Sequence, residues 1–188
     1  MPTIKQVFVN APSGWRVQDL QRRLFIARRR IEKRIEHPDF YICSFSNQTI
    51  VYKGLCMPKD LPKFYLDLAD LRMQTAICLF HQRFSTNTQP RWKLAQPFRY
   101  LAHNGEINTI SGNRAWARAR AYKYRTPLIP DLQMAAPFVN ETGSDSSSLD
   151  NMLELFVSGG MDLFRAMRLL VPPAWQHNPD MDDDLRAF

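Results

Sequence analysis

Short apolar runs that end in polar segments alternate with amphipathic helical patterns along this chain of 188 residues. Residues 75–81 (TAICLFH) form one such run, and residues 98–102 (FRYLA) form another. A short run rich in apolar and β-branched residues is typical of a strand within a sheet. The pattern predicts a layered protein of the α/β or α+β class, with its functional site where the strands end.

Apolar residues that recur every three or four positions predict several helices. The predicted helices cover residues 17–35, 61–72, 109–124, about 144–158 and 161–170. Residues 40–46 and 49–53 are rich in aromatic and β-branched residues, and the two-residue loop between them predicts a β-hairpin. Helix 109–124 is expected to place Trp116 inside and Arg114 outside.

The first predicted helix, residues 17–35, has one apolar face and one basic face. The residues expected to face the core are Leu20, Leu24, Ala27, Ile31 and Ile35. The residues expected to face solvent are Arg22, Arg23, Arg28, Arg29, Arg30, Lys33 and Arg34. A charge run of this kind is usually a solvated helix face, although an anionic partner is the alternative.

The charge distribution argues against a nucleic-acid-binding protein. The net charge is +7, but basic residues concentrate in residues 1–38 and 91–126 while residues 127–188 are acidic, so these blocks can neutralise one another. No apolar run approaches the roughly 20 residues that span a bilayer. The first residues, MPTIK, lack a secretory apolar region, so a cytoplasmic location is expected. Three cysteines without a CxxC pair predict reduced thiols and no metal site.

Three polar segments could bind an α-amino acid. They are residues 81–88, 103–109 and 142–146. An arginine can grip a carboxylate through two parallel hydrogen bonds, and an aspartate can hold an ammonium group. An Asn-Gly pair adds donors that can stabilise an oxyanion. Each segment also has a structural reading: an ordinary loop, a hairpin turn and a helix cap.

Together the segments resemble a known family, the class II glutamine amidotransferase domain at the start of the glutamate synthase large subunit. The matching motifs are QVFVN (6–10), DFYICS (39–44), TIVYKG (49–54), RFSTNT (83–88), LAHNGEINT (101–109) and GSDS (143–146). The resemblance implies an α+β, N-terminal-nucleophile hydrolase fold with four layers, αββα. It further implies that residues 1–188 are a partial domain, without the N-terminal nucleophile segment and the C-terminal sheet.

The resemblance also implies a role for each matching residue. Arg83 would hold the α-carboxylate of L-glutamine, and Asp145 would hold its α-amino group. Asn104 and Gly105 would form the oxyanion hole. The remaining matches are Thr86, which would line the pocket, and His103, which would support the loop.

The family nucleophile, an N-terminal cysteine, has no counterpart here, because the sequence begins Met1-Pro2. Cys43 and Cys78 lie in apolar patterns, where a free cysteine is usually a small buried hydrophobe. Cys56 lies in a more polar connection and is the only candidate substitute, but no residue near it in sequence would activate it. The chain alone is therefore expected to be inactive, with no cofactor of its own.

For the full-length enzyme the family implies FMN, an iron–sulfur cluster, the other domains of the large subunit and a small subunit. Its ammonia would aminate 2-oxoglutarate to glutamate, and no nucleic acid or membrane is implied as a partner. The alternative is a non-catalytic glutamine-binding or interaction module that uses helix 17–35 on an anionic partner.

Overall fold

The computed structural model describes residues 2–83 and 89–187. Six α-helices lie in these two ranges: α1 (Val17–Arg34), α2 (Leu61–Phe64), α3 (Ile110–Ala119), α4 (Asp145–Ser158), α5 (Leu163–Leu170) and α6 (Asp183–Ala187). There are also 3₁₀ turns at Pro58–Asp60, Leu66–Ala69, Trp92–Leu94, Ala121–Lys123 and Leu132–Ala135. No helix in these ranges is long and apolar enough to cross a membrane.

The predicted strands are not formed. Within residues 2–83 and 89–187 no residue is in a β-strand, so the predicted hairpin of 40–46 with 49–53 is absent. A strand requires hydrogen bonds to a neighbouring backbone, and these segments do not pair. The run 75–81 was predicted to be a strand within a sheet, where its apolar side chains would be buried, yet Ile77 is 84% exposed and Phe80 74% exposed. The two β-layers of the αββα arrangement stay a prediction.

The helices are closer to their predicted positions. The predictions over 17–35, 144–158 and 161–170 are confirmed by α1, α4 and α5 to within two residues. Helix 109–124 ends early, since α3 stops at Ala119. The prediction over 61–72 is wrong after Phe64: Tyr65 leaves the helical conformation, and its hydroxyl donates to the Lys53 carbonyl at 2.7 Å. A tertiary contact thus accompanies the early end of α2.

The buried face of α1 is rotated from the predicted one. Phe25 and Ile26 are each 3% exposed, whereas Ile31 and Ile35 are exposed. Arg28, predicted to face solvent, is 1% exposed. Arg29 also turns inward and donates to the carbonyl of Ala135 at 3.2 Å. The predicted basic face is therefore not available as one continuous surface.

Helix α4 borders both apolar cores. Its Leu155 belongs to the first core, which contains Phe25, Ile26, Ile129, Leu132, Ala135 and Phe138. Its Leu153 belongs to the second core, which contains Phe98, Leu101 and Ala166. Because both cores pack on this helix, its position is determined from two sides.

A buried ion cluster links α1 to α4. Arg28 donates from Nη1 to Glu32 at 2.7 Å and from Nη2 to Glu154 at 2.5 Å. Arg99 donates to the other oxygen of Glu32 at 3.1 Å. Burial alone would lower the pKa of Arg99, but Glu154, Tyr41 and Glu32 more than offset this and raise it. The guanidinium groups of Arg28 and Arg99 thus meet the two carboxylates inside the protein, and the guanidinium of Arg29 also contacts Glu32 at 3.3 Å.

Replacing Arg28 by methionine should destabilise the chain strongly. The substitution leaves Glu154 buried without its guanidinium partner, and breaking a buried pair typically costs about 3–5 kcal/mol in unfolding free energy. Urea denaturation followed by circular dichroism measures the loss. Replacing both residues, as in R28M/E154L, should recover much of it, because no unpaired charge remains between them.

The matched control is Arg30→Met on the same helix, where the side chain is exposed and the change should stay within about 0.5 kcal/mol. A loss of stability in R28M no larger than in R30M would contradict the structural role of the ion cluster.

Candidate functional site

The loop that follows Leu101 lies against the N-terminus of α4. The backbone N–H of Ile107 donates to Oδ2 of Asp145 at 2.7 Å. Nδ1 of His103 lies 2.8 Å from the hydroxyl oxygen of Ser146. Two of the three polar segments found in the sequence, 103–109 and 142–146, are therefore in direct contact.

Asp145 is held in its ionised form by backbone donors. Its Oδ1 accepts from the N–H of Ser146 at 2.6 Å, and its Oδ2 accepts from Ile107. Partial burial by itself raises the pKa of Asp145, but the hydrogen bonds from these two N–H groups outweigh it and bring the pKa below its usual value. A carboxylate of this kind can hold an ammonium group.

Ser144 begins α4 and orients Asp145. Its side-chain oxygen accepts from the N–H of Ser147 at 3.1 Å, which satisfies one of the free donors of the first helical turn. Serines in this pattern were read from sequence as caps, and the structure confirms that reading for Ser144. The cap places Asp145 in the first turn, facing the loop 103–107.

Asn104 and Gly105 occupy the exposed tip of this loop. A Cβ atom on Gly105 would lie 3.1 Å from Nε2 of His103 and 3.2 Å from its Cε1. The imidazole of His103 thus packs closely beneath the glycine, and a larger residue would have to displace it. The backbone N–H of Gly105 and the side-chain amide of Asn104 are groups that can donate hydrogen bonds to an oxyanion.

The remaining predicted residues are not brought to this place by the described part of the chain. Arg83 is exposed, and its backbone N–H donates to Nδ1 of His81 at 3.3 Å. No contact between Arg83 and Asp145 is described. Thr86 lies within residues 84–88, outside the described residues. The roles of Arg83 and Thr86 stay predictions.

Arg114 is a site residue that the sequence analysis missed. It was expected to face solvent, with Trp116 inside, but Trp116 is 62% exposed. Arg114 instead donates to the carbonyl of Gly143 at 2.6 Å and to the hydroxyl of Ser148 at 3.0 Å. It therefore fastens α3 to the start of α4. Nothing in the helical period distinguishes Arg114 from Arg118, so the sequence offered no signal for this contact.

Lys53 fixes the segment that leads into the site loop. It is 2% exposed and donates to the carbonyl of Ala95. Its Nζ lies 5.1 Å from the ring centre of Tyr41 and 4.8 Å from that of Phe98. Burial lowers the pKa of Lys53 to about 8.

The described residues do not fit an iron–sulfur cluster. Such clusters are held by three or four cysteine thiolates, and no group of three or more His, Cys, Asp or Glu in 2–83 and 89–187 could hold a metal ion. The free cysteines are Cys43, Cys56 and Cys78. Burial raises the pKa of the Cys43 thiol, which makes it a poor nucleophile. Cys78 was expected inside a strand but is exposed.

Comparison with known proteins identifies the family. The model of the class II glutamine amidotransferases matches residues 1–188. Ferredoxin-dependent glutamate synthase 2 of Synechocystis is 45% identical over 184 residues, covering 97% of this chain and 12% of the relative. The NADPH glutamate synthase large chain of Bacillus subtilis is 44% identical over 191 residues, covering 100% of this chain and 13% of the relative. The ferredoxin-dependent enzyme of Cyanidium caldarium is 42% identical over 187 residues, covering 96% and 12%.

The chain belongs to the class II glutamine amidotransferase family. The sequence-based assignment to this family is confirmed, and the similar proteins are glutamate synthases. The chain spans about one eighth of the length of these relatives.

Substituting Asp145 should remove a contribution to stability that is present at neutral pH and lost at acid pH. Hydrogen bonds to a charged group are worth about 1.5–3 kcal/mol, so Asp145→Asn should lower the unfolding free energy at pH 7 by about 1–2 kcal/mol. Because the folded-state pKa is depressed, this contribution is present above the unfolded pKa and is lost as pH falls through the folded value. Urea unfolding from pH 7 to pH 2.5 should show the two proteins converging. A constant difference over this range would exclude the proposed charge effect.

Lys53 should make stability rise with alkaline pH. Its pKa is about 8 in the folded chain against 10.5 as the ordinary value, so the unfolded chain binds more protons between these values and folding gains stability as pH increases. Relative to Lys53→Met, wild type should gain about 2–3 kcal/mol between pH 7 and pH 10. The control is Lys59→Met, at an exposed position, whose difference from wild type should stay flat. A difference in unfolding free energy between wild type and K53M that stays constant with pH would refute the lowered pKa of Lys53.

Proposed function

We propose that this chain forms the glutamine-binding and oxyanion-stabilising part of the glutaminase site of a glutamate synthase. The observation that carries the proposal is the hydrogen-bonded contact between the loop 103–107 and Asp145 at the start of α4. It brings an ionised carboxylate next to an exposed Asn-Gly pair, within a chain of the amidotransferase family.

L-Glutamine would be held at both ends. Asp145 would accept hydrogen bonds from the α-ammonium group, and the Arg83 guanidinium would grip the α-carboxylate through two parallel hydrogen bonds. Thr86 would line the same pocket. Between these charges the side-chain amide of glutamine would reach the loop tip, where Asn104 and the N–H of Gly105 would point at its carbonyl oxygen.

The loop tip would act during amide hydrolysis. When a thiolate attacks the amide carbon, negative charge develops on the carbonyl oxygen, and donors already directed at this atom lower the barrier. Collapse of the tetrahedral intermediate breaks the C–N bond, and the nitrogen takes up the proton that the thiol lost and leaves as ammonia. The γ-glutamyl thioester that remains is hydrolysed by water to glutamate and the free thiol. We assign no described cysteine to the attack, so the chain receives the binding and oxyanion roles only.

The ammonia would serve glutamate synthesis from 2-oxoglutarate. That step, with its FMN and iron–sulfur cluster, would belong to other domains of a glutamate synthase, together with a small subunit where the enzyme has one. A cytoplasmic location is part of the same expectation. Family membership favours this function over a module that binds an anionic partner through helix 17–35, and the inward contacts of Arg28 and Arg29 also favour it.

The four-layer αββα fold is part of the proposal. Segments 40–46, 49–53 and 75–81 have the composition of strands and are not helical in the structure. We infer that they form sheet when neighbouring strands are available for pairing. The exposed apolar side chains of Ile77 and Phe80 support this inference, since they would point to opposite faces of such a strand and the layers on both sides of its sheet would bury them.

Glutamine binding tests the proposal directly. Titration calorimetry of the 188-residue chain with L-glutamine should detect binding, and Arg83→Ala and Asp145→Asn should each weaken it about 10–100-fold, as expected for losing a charge-assisted contact. Glutaramic acid, which is glutamine without its α-amino group, should bind wild type more weakly than L-glutamine by the same factor. Its affinity for D145N should be little lower than its affinity for wild type.

Matched controls separate binding from stability. Asp162 caps α5 as an aspartate that accepts from backbone N–H groups, so Asp162→Asn should lower stability without changing glutamine affinity. Arg72→Ala removes an exposed arginine paired with Asp70 and should have no effect. Equal affinity of wild type, R83A and D145N for glutamine would refute the assignment of these residues.

A further inference from the structure

Gln96 holds the backbone of the residue that precedes the loop tip. Its side-chain Nε2 donates to the carbonyl of His103 at 2.8 Å, and its Oε1 accepts from the N–H of His103 at 2.6 Å. A carboxamide is the side-chain group that can donate and accept in this paired way. The chain between the two residues is thereby closed into a loop.

Helix α4 holds the same loop at a second place, the backbone of residues 100 and 101. Oδ1 of Asp150, a buried residue, accepts from the N–H of Tyr100 at 2.8 Å and from that of Leu101 at 3.2 Å. A turn is closed by the N–H of Phe98, which donates to the carbonyl of Leu101 at 2.9 Å. Phe98 and Leu101 are themselves buried in the second core. Residues 98–101, the loop base, are thus fixed by packing, and the two hydrogen bonds of Gln96 also fix the backbone of His103.

The positions of Asn104 and Gly105 depend on the fixed backbone of His103. Both are exposed, so burial does not place them. Asn104 is bonded directly to His103, and Gly105 packs over the His103 ring, whose Nδ1 meets Ser146. Displacement of the His103 backbone would therefore move the two oxyanion donors relative to Asp145. Stabilisation of a developing oxyanion is sensitive to such displacement.

We propose that Gln96 is the positioning residue of the oxyanion loop: it sets the backbone of His103 and hence the direction of the Asn104 and Gly105 donors. The claim rests on the proposed function, because it gives the loop tip its role toward glutamine. The competing reading is that Gln96 only adds stability. The two readings differ in what happens locally at residues 103–105 and in what a glutamine control of equal size does.

Hydrogen exchange and glutamine affinity test this together. In Gln96→Leu the His103 N–H loses its acceptor and should exchange at least about tenfold faster by nuclear magnetic resonance, while the Tyr100 and Leu101 N–H groups, held by Asp150, stay protected. The Gly105 amide signal should shift, and the affinity for L-glutamine should fall about tenfold. Gln96→Glu keeps the acceptor for the His103 N–H but cannot donate to its carbonyl, so its effects should be intermediate.

Gln133 offers a matched control. Its Nε2 donates to the carbonyls of Ala121 and Tyr124 at 3.1 and 2.8 Å, in the turn that follows α3. Gln133→Leu therefore also removes two hydrogen bonds from a glutamine, yet it should leave the His103 exchange rate, the Gly105 signal and the glutamine affinity unchanged.

The outcomes separate the two proposals. If wild type binds glutamine and Q96L changes the affinity no more than Q133L does, the positioning role of Gln96 is overturned while the function stands. If wild type does not bind glutamine, the proposed function fails, and the His103 exchange rate and Gly105 signal still decide whether Gln96 sets the loop. Unchanged exchange at His103 in Q96L overturns the positioning role in either case.

Discussion

The buried ion cluster around Arg28 is the constraint on which the rest of the structure depends. Arg28 lies between Glu32 of its own helix and Glu154 of α4, and Arg99 pairs with the other oxygen of Glu32. Such groups are tolerated inside a protein only when each charge meets its partner. Helices α1 and α4 can therefore approach one another only in an arrangement that keeps these contacts, which excludes most alternative packings of the two helices.

Helix α4 transmits this constraint to the candidate site. Two sides of the helix pack into the two apolar cores. Asp150 on the same helix binds the loop base, and Asp145 and Ser146 in its first turn bind the loop itself. The site therefore lies where a rigid helix begins and an exposed loop is fastened to it. This arrangement suits a binding site, because the charged group is fixed while the Asn-Gly tip stays accessible.

Much of the helical structure and the family could be predicted from the sequence, whereas the inner faces could not. Helices with clear period and caps, such as α4 behind Ser144, lie where predicted because the signals are local. Arg28 was predicted to face solvent because neither the run of charges nor the helical period distinguishes one arginine from another. Its burial depends on a carboxylate from a helix that is distant in sequence. The predicted strands are not formed in the described residues for a related reason, since apolar composition does not supply the neighbouring backbone that a strand needs.

By itself the sequence determined the motifs LAHNGEINT and GSDS, the helix starts and the family, because these depend on residue types in a fixed order. The tertiary structure decided which atoms meet: Ile107 with Asp145, His103 with Ser146, and Arg114 with the start of α4. These contacts join residues that are about 30 to 40 positions apart. Local propensity does not determine contacts between residues so far apart in sequence. The packing of buried charges and apolar side chains determines them.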